Sequence, residues 1–440
     1  MSSKPTQSRP RLIQAMMDAF SLPDLRRRIL FTIGMLVIFR LVAHVPLPGV
    51  DLAALANLFN QTPLLGMLDM FSGGALRNFS VAAMGVYPYI TATIIMTILV
   101  PVIPQLQALS MEGESGRNKI NIISHWLVIP LGALQAYGQL TYLKSQGVIG
   151  ATAVLPMVTM IISMVAGTIF LIWLGELITE HGIGNGISII IFGGIVAGYP
   201  QTLGQGWLAS GSNFIPLIGY ILIGLATVVL IVYFTEAHRR IPVQYAKSVF
   251  RSGRMYKQSG STHIPLRVNT AGMIPLIFAM SLVLFPGIVA SYFVAPAGSD
   301  PNFANTLMNW FSPNASLPVG FVYWILYFLL TVGFAFFYTA IIFQQQDLPG
   351  VLQKQGGFIP GIRPGSQTKK YLDSVIGHIT WAGAIFLGVV AVVPFIAQHA
   401  TGIQMTFSSM GLIIVVGVVL DTMKQLEAQL VMRRYEGFIK

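Results

Sequence analysis

Between residues 29 and 420 the sequence is a succession of ten apolar stretches, at 29–45, 76–99, 120–140, 153–175, 186–204, 214–234, 272–294, 317–343, 374–397 and 403–420. An α-helix needs about 20 apolar residues to cross a hydrocarbon core of about 30 Å. Lipid offers no hydrogen-bond partner to open backbone groups, so each stretch is expected to be helical. Charged residues make up only 9% of the chain and hydrophobic ones 54%, with a mean hydropathy of +0.70. A soluble domain carries about 25% charged residues, so water is the wrong solvent for most of this chain. The expected fold class is an all-α polytopic membrane protein of ten transmembrane helices. Pro88, Pro130, Pro156 and Pro275 fall within the stretches. Neighbouring helices or water are expected to satisfy the backbone groups that these prolines free.

Charge orients the spans. With the N-terminus placed in the cytoplasm, the inside segments are 1–28, 100–119, 176–185, 235–271, 344–373 and 421–440. Of the 26 Lys and Arg, all but Arg40, Arg77 and Lys144 then lie inside. The positive-inside rule favours this topology over its reverse, with both termini cytoplasmic. The reading divides the chain into a cytoplasmic segment 1–28, a first half 29–204, an outside hinge 205–213, a second half 214–420 and a cytoplasmic tail 421–440. Each half holds five spans, an odd number, so two related halves must be inverted relative to each other, with a functional path expected at their interface. Residues 1–28 end in Arg26-Arg27-Arg28 and no small-x-small cleavage site follows, so the first stretch is read as a retained span.

Several chemistries drop out. There is no cysteine, which removes disulfides, thiolate metal sites and thiol catalysis. The seven histidines are scattered, without an HExxH motif, and no GxxxxGK[ST] loop exists to hold a nucleotide. No catalytic residue, metal or cofactor is expected, and any fuel must come through a partner or a gradient. The GIGNG stretch at 182–186 lacks the strand that a dinucleotide fingerprint requires; it reads as a tight cytoplasmic turn. The loop 235–271 carries Arg239, Arg240, Lys247, Arg251, Arg254, Lys257 and Arg267 against Glu236 alone, and 344–373 carries Lys354, Arg363, Lys369 and Lys370. Two readings stand for this basic surface: contact with anionic lipids, or docking of an acidic partner or ribosomal RNA.

Seven blocks go beyond composition: VPLPGVD at 45–51, MFSGGAL at 70–76, EGESGRNKI at 112–120, WLGELITEHGIGNGISIIIF at 173–192, STHIPLRVNTAGMIP at 261–275, GGFIPGIRPG at 356–365 and MRRYEGF at 432–438. In sequence and order they resemble the SecY family, channel subunits of the bacterial protein-export translocon. The resemblance implies an hourglass pore between two inverted five-helix halves in the bacterial cytoplasmic membrane. Such a pore conducts unfolded secretory proteins and releases hydrophobic segments sideways into lipid. The implied partners are the small membrane subunits SecE and SecG, the motor ATPase SecA, a ribosome on the cytoplasmic loops, and the signal peptides and nascent chains themselves.

The same resemblance assigns roles to residues. Val86, Ile90, Ile187, Ile191, Ile277 and Ile414 align with the pore ring, where aliphatic side chains exclude water and gate by dewetting; by periodicity alone they are unremarkable. Leu64, Leu65, Gly66, Met67, Leu68, Asp69, Met70 and Phe71 correspond to the plug, a short helix blocking the closed pore near 64–72, with Gly73 and Gly74 as its hinge. Without the resemblance this stretch reads as an interfacial amphipathic helix. Thr91, Gln135 and Asn185 match polar groups of the lateral gate, although ordinary helix–helix hydrogen bonding would use the same residues. Arg239, Arg240, Lys247, Arg251, Arg254 and Arg363 form the implied partner-binding set. Arg40, the one clear charge within a span, is expected to snorkel to the interface.

Two rival functions bear on the same residues. A secondary transporter of a small solute also uses inverted repeats and broken spans, but normally needs ionisable groups near mid-membrane. Glu176, Glu236, Asp347 and Asp421 lie at span ends, and the span centres lack carboxylates. A scaffold or insertase without a continuous pore would show no conductance even with the plug removed.

Overall fold

The computed structural model describes residues 22–61, 69, 72–150, 153–210, 215–251, 254–291, 293, 302–311, 318–346, 348–401 and 409–436. Two compact units divide it, one drawn from residues 1–211 and 414–440, the other from 212–413. The boundary at 211/212 falls inside the segment read as the outside hinge. The second boundary departs from a linear division: Ile414 and the described residues after it pack with the first unit, whereas the sequence reading keeps 214–420 together.

The first unit contains α1 (Pro23–Val42), α2 (Leu52–Gln61), α3 (Tyr87–Val102), α4 (Pro104–Met111), α5 (Glu114–Ser145), α6 (Val154–His181) and α7 (Gly186–Ser210). It also takes most of α14 (Ser409–Glu436). Helices α3, α5, α6 and α7 pack in chain order, each on the next, and α1 packs on α6 and α7. Leu47, Leu55, Leu76, Phe79, Leu140, Leu143 and Met164 form the core of this unit. A smaller cluster joins Leu25 of α1, Ile183 of the α6–α7 turn and Leu426 of α14. On α1, Leu30, Ile33, Val37 and Leu41 stay exposed at helical spacing, the apolar stripe that a span presents to hydrocarbon.

The second unit contains α8 (Ile215–Glu236), β1 (His238–Arg251), β2 (Arg254–Arg267), α9 (Ile274–Ser291), α10 (Phe303–Trp310), α11 (Gly320–Gln346), α12 (Leu348–Lys354), β3 (Gly357–Phe358) and α13 (Ser366–Thr401). Helix α11 packs on α9 and α13, and α8 lies along α13, where Phe234 and Phe386 stack with ring centroids 4.1 Å apart.

All ten apolar stretches carry a helix, in order α1, α3, α5, α6, α7, α8, α9, α11, α13 and α14. Among the described residues five helices are long and apolar enough to cross a membrane, and the pair α3–α4, bent by 97°, makes a sixth if counted as one span. The stretch from 76 differs from expectation, because residues 73–86 form turns and helix begins only at Tyr87. This also corrects the reading of the prolines. Pro88 sits in the first turn of α3, Pro156 in the first turn of α6 and Pro275 is the second residue of α9, positions whose N–H has no helical partner to lose. Of the four, only Pro130 lies inside its helix.

The all-α expectation needs one addition. The basic loop 235–271 is a β-hairpin, with β1 pairing β2 from His238↔Arg267 to Arg251↔Arg254. Its base alternates, Ile241 and Val243 buried and Arg240 and Pro242 exposed, the period of a half-buried strand. The loop 344–373 adds β3, antiparallel to β1 at Gln244↔Phe358 and Tyr245↔Gly357. Both loops thus share one sheet, over a core of Ile241, Val243, Leu266, Leu352, Ile359 and Leu372.

Candidate pore, plug base and docking surface

Val86 and Ile90 are adjacent along α3, Val86 at its N-cap and Ile90 one turn on; both are buried. Ile187 and Ile191 are one turn apart on α7, Ile191 buried and Ile187 half-buried. A Cβ added at Gly175 would lie 2.8 Å from Ile187 Cγ1, so α6 approaches α7 closely enough to fix that side chain. Ile414 is 1% exposed and belongs to the same unit. Ile277, also buried, stands on α9 of the second unit. The first unit thus holds five of the six residues aligned with the ring. Burial among protein atoms is what a shut aliphatic constriction and ordinary packing have in common, so function must be read from more than burial.

Of the expected plug residues, Leu64, Leu65, Gly66, Met67, Leu68, Met70 and Phe71 lie outside the described residues. Asp69 is described and is only 5% exposed. Its Oδ1 accepts the backbone N–H groups of Leu76 and Arg77, each at 3.1 Å, and the Ser72 hydroxyl at 3.3 Å, while Oδ2 pairs with Arg77 Nε at 2.8 Å. The Ser72 hydroxyl also donates to the Asp69 carbonyl at 2.9 Å, and its oxygen accepts the Leu76 N–H at 3.0 Å. Burial pushes the Asp69 carboxyl above its ordinary value; the Arg77 guanidinium, the Arg77 N–H, the Ser72 hydroxyl and the Leu76 N–H oppose that rise.

Gly73 and Gly74 both have positive φ, +66° and +83°, a conformation that favours glycine. Gly73 is tightly enclosed: an added Cβ would lie 2.7 Å from Phe39 Cζ and 2.8 Å from Gly194 Cα. A freely moving hinge would not be so enclosed. Arg40 reaches the same place. Its Nη1 donates to the Gly73 carbonyl at 2.6 Å. Beyond the turn, the VPLPGVD strap is bound to it: Leu47 N–H donates to Phe79 O at 2.9 Å and Val81 N–H to Val45 O at 3.0 Å.

The polar set expected at a lateral gate separates. Gln135 Nε2 donates to Thr91 Oγ1 at 3.4 Å, joining α5 to α3, and Gln135 Oε1 is buried without a protein partner among the described residues. Asn185 is exposed and caps α7, its Oδ1 accepting the Ser188 N–H at 3.1 Å. A residue absent from the sequence reading, Asn269, is buried with its Oδ1 likewise unpartnered among the described residues. Its signal was its place in the block before α9, where a short polar side chain precedes an apolar helix. His125 of α5 and Glu176 of α6, 3.5 Å apart, form another interhelical pair that sequence gave no reason to join.

The basic residues of the loop 235–271 lie along the two long strands of the sheet. Arg239 and Arg240 are exposed at the base of β1, with Arg240 Nε donating to His238 Nε2 at 3.1 Å. The register places Lys247 opposite Gln258 and Arg251 opposite Arg254. Arg363 is exposed between Gly361 and Gly365, both with positive φ, and its carbonyl accepts the Thr368 hydroxyl at 3.0 Å. Its backbone is therefore held from both sides while the guanidinium faces outward. Among the described residues no cluster of His, Asp or Glu could hold a metal ion.

The SecY family model matches residues 80–423. The chain is 42% identical over 449 aligned positions to a protein translocase subunit SecY of Streptomyces lividans, covering 98% of this chain and 100% of the relative. It is 40% identical over 432 positions to the protein of that name from Escherichia coli (strain K12), covering 95% of each. Among solved structures, a protein conducting channel superposes with a TM-score of 0.65 at 18% identity, over 94% of this chain and 97% of the other. Sec61 in a canine ribosome–channel complex gives 0.62 at the same identity and coverage. The match runs nearly end to end at a level that shared ancestry explains, and the chain belongs to the SecY family.

Proposed function

We propose that this multi-pass membrane protein forms the pore through which unfolded secretory proteins cross the bacterial cytoplasmic membrane, releasing hydrophobic segments sideways into lipid. It is a protein translocation channel and not an enzyme. The observation that carries this is kinship over nearly the whole chain with protein translocase subunits. The span composition supports the mechanism, since a path lined by aliphatic side chains suits a polymer of arbitrary sequence. A solute carrier would need ionisable groups near mid-membrane.

In this reading Val86, Ile90, Ile187, Ile191, Ile277 and Ile414 make the constriction, and the segment 64–71 closes it. The termini and the sheet-bearing loops face the cytoplasm. That sheet, with Arg239, Arg240 and Arg363, receives a motor ATPase of the SecA type or a ribosome, and small subunits of the SecE and SecG type complete the assembly. Gln135 and Asn269 each bury an amide oxygen with no donor among the described residues. Water or a polar group of a passing segment would relieve that cost.

Replacing Ile414 by Asn tests the pore. A buried amide costs roughly 2–7 kcal/mol until solvated, so the substitution favours a wetted constriction. Ile414→Asn should relax selection for signal sequences and, combined with deletion of residues 64–71, give an ion leak in planar bilayers. Silence from the folded double variant would refute the ring assignment.

A further inference from the structure

Helix α10 (Phe303–Trp310) has no part in the pore, the plug or the basic sheet. Its start is fixed by a reciprocal cap: Asn302 Oδ1 accepts the Asn305 N–H at 3.1 Å, and the Asn302 N–H donates to Asn305 Oδ1 at 3.3 Å. Asn302 Nδ2 also donates to the Phe293 carbonyl at 2.6 Å, just past the end of α9. Leu307, Met308 and Phe311 are half-buried. The helix packs on α9, where a Cβ added at Gly287 would lie 3.4 Å from Phe311 Cβ. The exposed side is itself divided. Seven residues make nearly two turns, so Phe303 and Trp310 share one flank, 80% and 46% exposed. Thr306 and Asn309, also exposed, lie towards the other flank.

The connections say where this helix sits. β2 leads into α9, and α11 leads through α12 to β3, so the sheet lies at one end of these two helices and α10 joins their other ends. As spans, α9 and α11 carry α10 on the side of the membrane opposite the sheet. Along α9, Leu282, Phe285 and Val289 are exposed at helical spacing, and Phe293 continues the series, the apolar stripe that a span presents to hydrocarbon. Asn302 binds the carbonyl of the last residue in that stripe, so the aromatic flank of α10 begins where the stripe ends. Rings at the end of a span belong to the bilayer interface, where an apolar body meets water. Charge gives no other partner a hold, because no Asp, Glu, Lys or Arg occurs from Pro301 to Gln346. Two aromatic side chains bury about 150–250 Å² each, well short of the roughly 800 Å² per partner of a stable protein interface.

We propose that α10 is an interfacial anchor. Phe303 and Trp310 insert among the lipids of the leaflet opposite the sheet, Asn309 faces water, and the contact is made by apolar surface alone, without anionic headgroups. The proposal requires that α9 and α11 span the membrane and is independent of the channel reading.

The chain has no cysteine, so a single introduced cysteine can carry a nitroxide at one chosen place. The full-length chain bearing Phe303→Cys, Trp310→Cys or Asn309→Cys is labelled and reconstituted into phosphatidylcholine vesicles. Collisions of each label are measured with oxygen, which concentrates in lipid, and with a water-soluble nickel chelate. The oxygen-to-chelate ratio at 303 and 310 should exceed that at 309 on the order of tenfold. Replacing a third of the lipid with phosphatidylglycerol should change each ratio by less than about twofold. Equal, chelate-rich ratios at all three positions would show a wet helix and overturn the proposal. Labels at 303 and 310 shielded from both reagents would show that a protein surface covers the flank, and the proposal falls. An oxygen preference that appears only with phosphatidylglycerol would refute anchoring by apolar surface. Should Trp310→Cys not accumulate, Phe303→Cys and Asn309→Cys carry the comparison, since both replace exposed side chains.

Discussion

Substituting alanine at Gly73 and Gly74 separates a hinge from a pinned turn, because the two accounts differ in sign. Both positions have positive φ, where a side chain costs about 1–2 kcal/mol. Their surroundings differ. At Gly74 the nearest atom to an added Cβ is Arg40 Nη1 at 3.8 Å, ordinary contact. At Gly73 the Cβ would meet Phe39 Cζ at 2.7 Å and Gly194 Cα at 2.8 Å, and the second of these is backbone that cannot rotate away. Overpacking of this kind adds about 1–3 kcal/mol. The closed turn should therefore lose about 2–5 kcal/mol in Gly73→Ala and about 1–2 kcal/mol in Gly74→Ala. That difference is on the order of tenfold to a hundredfold in the opening equilibrium. Export of a reporter with a defective signal sequence reads it directly, and amide exchange at Leu76 and Arg77 reads the turn without transport. Gly73→Ala should relax selection well beyond Gly74→Ala. Equal effects would refute the packing argument. Reduced export in both variants would restore the hinge, since stiffening a hinge impedes opening.

Three further expectations concern other parts of the molecule. Arg363→Glu should strongly impair motor-driven export in reconstituted vesicles while leaving insertion intact, and normal export would remove this residue from the docking surface. Reporter fusions after residues 147 and 300 should report an outside location and those after 255 and 360 a cytoplasmic one; an outside signal at 255 would overturn the topology. Acidity acts on the turn after Asp69 through that residue's carboxyl, whose pKa in the folded turn lies above its ordinary value. The folded turn binds the proton more readily than the opened one, so this contribution to stability is present in full below the ordinary value and is lost as pH rises through the folded one. Corrected for intrinsic rates, protection of the Arg77 amide should hold or rise from about pH 7 to about pH 5, and a fall would mean that ion pairing dominates.

What the sequence made legible was the solvent. Ten apolar runs and a one-sided distribution of cations locate helices, and each run carries one. Apolar composition could not locate the start of α3, because the turn residues 81–86, VAAMGV, run into it without a polar side chain; what separates the turn is bonding to residues 45–47, distant in sequence. The hairpin was written in the alternation of Arg240, Ile241, Pro242 and Val243, a period of two that the density of charge obscured. Arg40 illustrates the deeper limit. A lone cation near the end of a span reads as a snorkelling side chain until its partner is known, and that partner is a backbone carbonyl with no sequence signature. Asp69 and Arg77, eight residues apart, were within reach of a sequence argument, since Arg77 is one of only two cations in segments read as outside.

The placement of α14 bears on the order in which this protein can be finished. Its residues from Ile414 pack with the first unit, with Leu426 closing the cluster around Leu25 and Ile183. A ribosome makes those residues only after the whole of the second unit. Leu25 and Ile183, among the earlier residues synthesised, therefore wait through more than two hundred residues of chain, 212–413, for the side chain that covers them. During that interval lipid, another subunit or a chaperone must shield the site. The first unit begun is thus the last completed, and an arrest of synthesis before Ile414 strands a nascent chain whose second unit is whole and whose first is open.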